Sequence, residues 1–294
     1  MSQPPRKHHF IPEFYLKQWA GDDARLERYT CPTPGKVVVR RVSPSEVGWD
    51  KDLYRSPHDD EWDAQHLELN FFQAIDDAAA RALARLNQSS IHVVPPDDAS
   101  AWSVFIHSLL LRTPAAFASV KRAGAIQIDD TLERFKERYL LVRKPSDPPT
   151  FEGFVGRYDE RRREQEILRV YPDLVRSQNV LQALGKLTWM IAEAPREVPD
   201  LLLSDDALAR TNGLKTQGGH IAMPLSPRRL LIGAWDQVAI RSIRGTTPRE
   251  LFRNMNQWTV EGARHFVAAR DKTQDRFIRN RFGMNRKPTV LRTF

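Results

Sequence analysis

Two adjacent histidines near the amino terminus, His8 and His9, are the residues of this sequence best suited to chemistry. A neutral imidazole titrates near physiological pH, so it serves as a general base or as a metal ligand. The surrounding segment reads as extended, and neighbouring side chains of an extended chain point to opposite sides. One histidine would then line a site while the other packs, with Lys7 available to neutralise a phosphate. The alternative is a structural histidine beside a helix that starts at Pro12.

A second candidate group follows an apolar run late in the chain, where Ser204 and Asp205 come directly after three leucines. A buried strand that ends in a hydroxyl and carboxylates presents oxygen atoms at a sheet edge, and hard divalent cations prefer such ligands. The alternative is an Asp-rich turn or a helix N-cap. We predict catalytic roles for His8, His9 and Asp205, and a divalent metal ion held by His9 and Asp205.

The familiar motifs of several enzyme classes do not occur in this sequence. There is no phosphate-binding loop, no dinucleotide-binding glycine motif, no zinc-protease motif and no serine-hydrolase motif. A single cysteine, Cys31, excludes a disulfide framework and a Cys-rich zinc site. Arg112, on an apolar helix, is a further candidate for neutralising a phosphate.

The hydrophobic pattern predicts the elements that must position these residues. Two short runs, 24–31 and 36–42, flank a Pro-Thr-Pro-Gly turn and predict a β-hairpin. From Asp60 to Leu86 apolar residues recur at three- and four-residue steps, which predicts a long helix. The segment 47–60 reads as a loop, and residues 153–194 read as helical again.

The character of the chain changes after Pro195, where short apolar runs alternate with turn residues. The runs 220–226, 228–235 and 237–243 predict strands of a small antiparallel sheet. A closing helix follows, capped by Thr246 or Thr247. The predicted fold class is α+β: a mostly helical body with an N-terminal β-hairpin and a small antiparallel sheet near the C-terminus.

The 294 residues carry a formal net charge of +8, and the charge is uneven. From residue 270 onward eight basic residues face two acidic ones, so this segment carries +6 and the remainder is nearly neutral. We predict one globular domain over 1–269, with a candidate lobe boundary in the proline-rich segment 143–152, and a basic tail over 270–294. Tail residues predicted to contact nucleic acid are Arg276, Arg279, Arg281, Arg286 and Lys287.

The tail also contains Phe277, Ile278 and Phe282, which favour docking onto another surface over a solvated tail. No run approaches 18 apolar residues, and the first ten residues lack the apolar core of a signal peptide. We therefore expect a cytoplasmic protein without a membrane partner.

The motifs resemble, in order, those of the bacterial domain of unknown function 4238 family. The segment 6–16, Arg-Lys-His-His-Phe-Ile-Pro-Glu-Phe-Tyr-Leu, is similar to the family's opening signature. Ser204-Asp205 matches its Ser-Asp strand end, although Asp206 and Ala207 stand where the family has Asn-Pro. The segment 223–226 and Asn256 match later motifs. The resemblance implies membership of a family but implies no particular activity. It does suggest that the polar motif residues, although far apart in sequence, converge on one pocket.

These observations lead to a prediction of a metal-assisted nuclease or phosphodiesterase acting on nucleic acid. Its site would consist of the histidine pair and the Ser-Asp strand end, and its substrate-binding residues would be Lys7, Arg112, Ser204 and Asn256. One alternative is a non-catalytic sensor that binds a nucleotide or nucleic acid. Another is an interaction module whose basic tail docks an acidic partner.

Overall fold

The computed structural model describes residues 6–55, 66–88, 94–156, 160–211 and 213–286. Over this part the chain adopts the predicted α+β fold, with helices between an N-terminal hairpin and a later antiparallel sheet. The strands are β1 (Lys7–His9), β2 (Leu26–Thr33), β3 (Lys36–Val42), β4 (Trp49–Lys51), β5 (Thr188–Glu193), β6 (Leu203–Ser204), β7 (Ala209–Arg210), β8 (His220–Ser226), β9 (Arg229–Ala234) and β10 (Val267–Ala269).

The helical segments fill most of the space between these strands. A 3₁₀ turn follows α1, another covers Pro44–Glu46, and a π-helical segment, His66–Phe72, leads into α2. The α-helices are α1 (Glu13–Leu16), α2 (Gln73–Gln88), α3 (Pro96–Arg112), α4 (Pro114–Lys136), α5 (Tyr139–Val142), α6 (Phe151–Val155), α7 (Glu160–Val175), α8 (Gln178–Gly185), α9 (Gln237–Gly245), α10 (Pro248–Gly262) and α11 (Asp275–Arg279).

The predicted hairpin is confirmed as β2 and β3, which pair antiparallel. Gly35 in its turn has φ +78°, a conformation that glycine adopts without a Cβ clash. β10 pairs with β2 on one side and with β6 on the other, which gives the strand order β3-β2-β10-β6. The sheet therefore brings the Ser204 strand end beside the loop between α10 and β10.

The second four-stranded sheet has the order β5-β9-β8-β7, and all its pairs are antiparallel. The predicted strands 220–226 and 228–235 are confirmed, but the helical prediction was wrong for 188–193, which is β5. Trp189 and Ile191 are buried at alternate positions, as expected for a strand with one face in the core. Pairing with β9 overrides the helical periodicity of the preceding residues.

The prediction of a strand over 237–243 was also wrong, because this run forms α9. The side chain of Asp236 accepts a hydrogen bond of 2.8 Å from the N–H of Ala239 and so caps the helix. Ala239 and Ile240 are buried, with Ile243 packed against them on the same face. The loop predicted over 47–60 likewise contains a short strand, β4, which pairs with β1.

α3 lies at the centre of the molecule, as its apolar sequence predicts, and buries Trp102, Phe105 and Ile106. α4 follows after a sharp bend at Pro114, where the Thr113 hydroxyl accepts from the N–H of Ala116 at 3.3 Å. In the described ranges no single helix is long and apolar enough to cross a membrane; α3 and α4 meet that test only as a pair, bent by 78°.

Residues 270–286 dock onto the body of the same chain. Ile278 is fully buried and Phe282 is 9% exposed. The N–H of Gly283 donates to the carbonyl of Val260 in α10 at 2.9 Å. This packing is the docking that the aromatic and aliphatic tail residues predict. Lys287 lies outside the described residues, and the domain boundaries at 143–152 and 270 stay predictions.

Candidate functional site

The short β1–β4 pair holds the two histidines on opposite faces, as predicted for an extended segment. His8 pairs with Asp50 and His9 with Trp49. His8 is buried, whereas His9 is half-buried. Lys7 is exposed, and its Nζ lies 4.7 Å from the centre of the Trp49 ring.

His8 is used to hold the segment that follows β4. Its Nδ1 accepts a hydrogen bond of 3.1 Å from the N–H of Tyr54. The two rings stack with centroids 5.5 Å apart and an interplanar angle of 8°. These contacts favour the structural alternative for His8 and give no support to its predicted catalytic role.

His9 has a different environment. Burial lowers the pKa of its imidazole, while the nearby carboxylate of Glu13 and a backbone hydrogen bond to Ser45 raise it. Its Nε2 is buried and has no hydrogen-bond partner among the described residues. A neutral imidazole anchored at one nitrogen leaves the other nitrogen available as a base.

Glu68, which the sequence analysis did not single out, is close to His9. It lies on the π-helical segment before α2 and accepts a hydrogen bond from the His9 backbone. Burial raises the pKa of Glu68 to about 7, against the lowering effect of the Arg112 charge. Its Oε2 is buried and has no partner within the described part of the chain. Inserted π turns frequently occur at functional sites.

Arg112 ends α3 as a fully buried side chain. Its two terminal nitrogens donate to the carboxylate of Asp76 at 2.9 and 3.1 Å, and one also donates to the Ser108 hydroxyl at 2.9 Å. The guanidinium lies 4.4 Å from the centre of the Phe72 ring. Burial raises the pKa of Asp76 more than Arg112 lowers it. The remaining donor, Nε of Arg112, is buried without a partner in the described residues.

A fourth unsatisfied group, the hydroxyl of Tyr171 on α7, lies within electrostatic range of Arg112. Burial raises the pKa of this hydroxyl well above its ordinary value, so it is a neutral phenol. We call His9, Glu68, Arg112 and Tyr171 the polar cluster. Buried polar atoms are nearly always hydrogen-bonded, and each one left unbonded costs about 1–3 kcal/mol. Other buried atoms without partners occur elsewhere in the described chain, but here three of them surround a buried cation that has an unbonded nitrogen of its own, an arrangement that makes the polar cluster a candidate site.

The environment of Asp205 is the opposite, because its carboxylate is fully used by the backbone. Oδ1 accepts from three successive N–H groups, those of Arg264, His265 and Phe266, at 3.1, 3.0 and 3.2 Å. Oδ2 accepts from the Arg264 N–H at 3.2 Å. The residue therefore fixes the loop between α10 and β10. Metal binding by Asp205 would have to compete with these bonds.

The other predicted residues near the strand end have similar roles. The Ser204 hydroxyl donates to the carbonyl of Thr259 at 2.8 Å and accepts from the N–H of Asp206 at 3.1 Å. Asn256 accepts from the Leu202 N–H at 2.8 Å and donates to the Asp200 carbonyl at 2.9 Å. We call Ser204, Asp205 and Asn256 the clamp group.

The predicted residues thus fall into two neighbouring groups. Phe10 lies between them: it follows His9, and its ring contacts His265 and Phe266 at centroid distances of 5.7 and 6.5 Å. Asp205 lines a cavity to which neither His8 nor His9 contributes. Across the ranges the structure describes, no group of three or more His, Cys, Asp or Glu side chains could hold a metal ion. A divalent ion on His9 and Asp205 stays a prediction.

The predicted nucleic-acid residues of the tail make mostly internal contacts. Arg279 pairs with Asp275 at 2.7 Å and donates to the Val37 carbonyl at 2.5 Å. The guanidinium of Arg281 lies 4.5 Å from the centre of the Phe277 ring. Arg286 donates to the Ala263 carbonyl at 3.1 Å. Arg276 is exposed.

Fold and site together define an α+β protein with a buried cluster of an imidazole, a carboxyl group, a guanidinium and a phenol. The chain matches the model of the family described as "Protein of unknown function (DUF4238)" over residues 7–273, and it belongs to that family. The matched range covers both the polar cluster and the clamp group. No curated protein and no solved structure matches the chain.

Proposed function

We propose that this protein is a phosphodiesterase in which His9 and Glu68 exchange protons with the reacting atoms and Arg112 stabilises the phosphate. The observation that supports this is the set of four buried polar atoms of the polar cluster that have no hydrogen-bond partner among the described residues. A base, an acid and a cation are what hydrolysis of a phosphate ester requires.

In the proposed reaction, Nε2 of His9 accepts a proton from a water molecule as its oxygen forms a bond to phosphorus. The bond from phosphorus to the leaving oxygen breaks, and the carboxyl group of Glu68 donates its proton to that oxygen. The products are a phosphomonoester and an alcohol. Proton exchange with solvent returns the proton from His9 and restores Glu68, so the cycle is balanced.

The charges near His9 are mixed, with the Glu13 carboxylate on one side and two cations that suit a phosphate on the other. Lys7 and Arg112 both lie within electrostatic range of its imidazole. A guanidinium binds phosphate oxygens with directed hydrogen bonds, and a low-dielectric environment strengthens them. Nε is the donor of Arg112 that remains for a phosphate oxygen, and burial strengthens the hydrogen bond that it would make.

The protonation states define a pH window. His9 is the base only above its lowered pKa, and Glu68 is the acid only below about pH 7. We expect a bell-shaped dependence of kcat/KM on pH, with the alkaline limb near pH 7 set by Glu68. In Glu68→Gln this limb should disappear together with most of the activity.

The direct test is hydrolysis of bis(p-nitrophenyl) phosphate and of a single-stranded oligonucleotide, with magnesium, with manganese or with EDTA. We expect His9→Gln to lower kcat at least about 100-fold. The matched control is His107→Gln, since His107 is also buried and also has a lowered pKa, but bonds to the Val175 carbonyl at 2.7 Å. The metal arms test the predicted divalent ion. Absence of turnover in every arm, or equal rates in both variants, would contradict the proposal.

A non-catalytic sensor is the second candidate, and the full burial of Arg112 with its bidentate bond to Asp76 favours it. An arginine held in this way suits tight binding of a small anion without turnover. Saturable nucleotide binding that is lost in Arg112→Lys, with no hydrolysis in any arm, would support this function instead.

A further inference from the structure

One face of α10 is polar and faces away from the core. Asn254, Gln257, Trp258 and Glu261 follow the spacing i, i+3, i+4 and i+7, which places them on one side of a helix. The opposite side carries buried residues such as Phe252. A polar stripe with a tryptophan in its middle is suited to contact a ligand.

This stripe borders two connected depressions. The first, with a volume of about 90 Å³, has an apolar floor that includes Leu109 and Met223. The second, of about 270 Å³, is lined by the polar face of α10 and by Asn285. Asp206 and Trp258 line both, so the two adjoin at these residues, and we call them together the groove. Together they are large enough for a small organic ligand.

The groove begins next to the polar cluster. Ile11 and Thr113 line its apolar end. Thr113 directly follows Arg112, and Ile11 is two residues from His9, so their backbones are within about 7 Å of those cluster residues. Among the described residues, the polar cluster itself lines neither depression, so contact between a ligand's phosphate and the cluster belongs to the proposal below.

We propose that the groove binds the base and ribose of a nucleotide, with the phosphate directed toward the polar cluster. Aromatic side chains stack on nucleobases, which assigns the base to Trp258. Amide side chains recognise base edges through paired donors and acceptors, a role available to Asn254 and Gln257. The position of the phosphate rests on the proposed function, whereas binding of the nucleotide does not.

The charges of the groove favour a nucleotide over a neutral sugar. Arg210, Arg264 and His265 line the first depression and suit an anion. Acidic residues that line the groove would repel an anion. The Asp205 carboxylate does so less, because its charge is stabilised by hydrogen bonds from three backbone N–H groups. Glu261 carries an acceptor suited to the amino groups of adenine, guanine or cytosine.

The test is calorimetric titration of the full chain with AMP and CMP, compared with ribose 5-phosphate and inorganic phosphate. We expect AMP and CMP to bind at least about fivefold tighter than ribose 5-phosphate, because only they carry a base to stack. The double variant Asn254→Ala/Gln257→Ala changes exposed side chains and should weaken AMP binding about fivefold or more. Trp258→Leu should weaken it further.

Arg253→Ala is the matched control, since Arg253 is exposed on the same helix but does not line the groove. Equal affinity for AMP and ribose 5-phosphate, or unchanged AMP binding in both groove variants, would overturn this inference. Nucleotide binding without hydrolysis overturns only the proposed function. Hydrolysis of bis(p-nitrophenyl) phosphate without nucleotide binding overturns only the groove assignment.

Discussion

The polar cluster and the clamp group contrast in how their polar atoms are satisfied. In the clamp group, the Asp205 carboxylate and the Asn256 amide bond to backbone groups that would otherwise be unpaired. In the polar cluster, His9 and Glu68 each keep one buried atom without a partner in the described chain. Both groups consist of polar residues far apart in sequence. The difference teaches that such residues indicate chemistry only where hydrogen-bonding capacity is left over.

The largest expected effect on stability is that of Arg112→Met, because it removes the fully buried ion-pair partner of the half-buried Asp76 carboxylate. We expect the free energy of unfolding to fall by about 5 kcal/mol in urea titrations. The double variant Arg112→Met/Asp76→Leu should recover most of that loss, since an apolar pair replaces the buried charges. The double variant should not recover phosphodiesterase activity. If it did, Arg112 would have no role in the proposed reaction.

Asp205→Ala should lower the free energy of unfolding by about 3 kcal/mol, because three N–H groups of the loop 264–266, one of them buried and two part-buried, lose their charged acceptor. Asp22→Ala, at an exposed position, is the control and should change little. If Asp205→Ala instead removed activity and left the urea midpoint unchanged, the clamp group would belong to the reaction site. The contrast between the clamp group and the polar cluster would then be wrong.

Glu68→Gln tests the polar cluster through the pH dependence of stability. The folded pKa of about 7 is above the unfolded value, so the folded state binds the proton more tightly. The free energy of unfolding of the wild type should therefore fall as pH rises from about 4.5 to 7. The variant cannot ionise at this position and should not show this fall. Above pH 7 its free energy of unfolding should exceed that of the wild type by up to about 3 kcal/mol. Urea titrations at both pH values measure it, with exposed Glu197→Gln as the control. A constant difference at all pH values would refute the shifted pKa.

The smallest expected effect is that of Ser204→Ala, about 1 kcal/mol, since one donor and one acceptor are lost. Thermal unfolding and kcat/KM should be measured on the same sample. A fall in kcat/KM at unchanged melting temperature would support the substrate-binding role that the sequence predicts for Ser204.

The sequence singled out some residues of the candidate site and could not single out the others. His9, Lys7 and Arg112 are prominent because of their residue types and the motif around them. Glu68 lies in a helical pattern that also fits an exposed carboxylate, and nothing local indicates that burial raises its pKa to about 7. Tyr171 reads as an ordinary core aromatic of α7. Their roles depend on Arg112, which is distant from both in sequence.

The errors in the fold have a related cause. The run 188–193 continues a helical sequence, and only pairing with β9 selects the strand. The run 237–243 has apolar residues compatible with either structure, and the bond from the Ala239 N–H to the Asp236 side chain favours the helix. In both cases the local pattern was short, so a contact outside the window decided the outcome.

The sequence by itself determined the family, the α+β class, the hairpin, the central apolar helix and the docking of the tail, because these follow from periodicity and composition along the chain. Only the tertiary structure decided which polar atoms are bonded and which are not. That distinction depends on neighbours brought together from distant segments, and it separates His9, for which we propose a reactive role, from Asp205, whose carboxylate holds a loop.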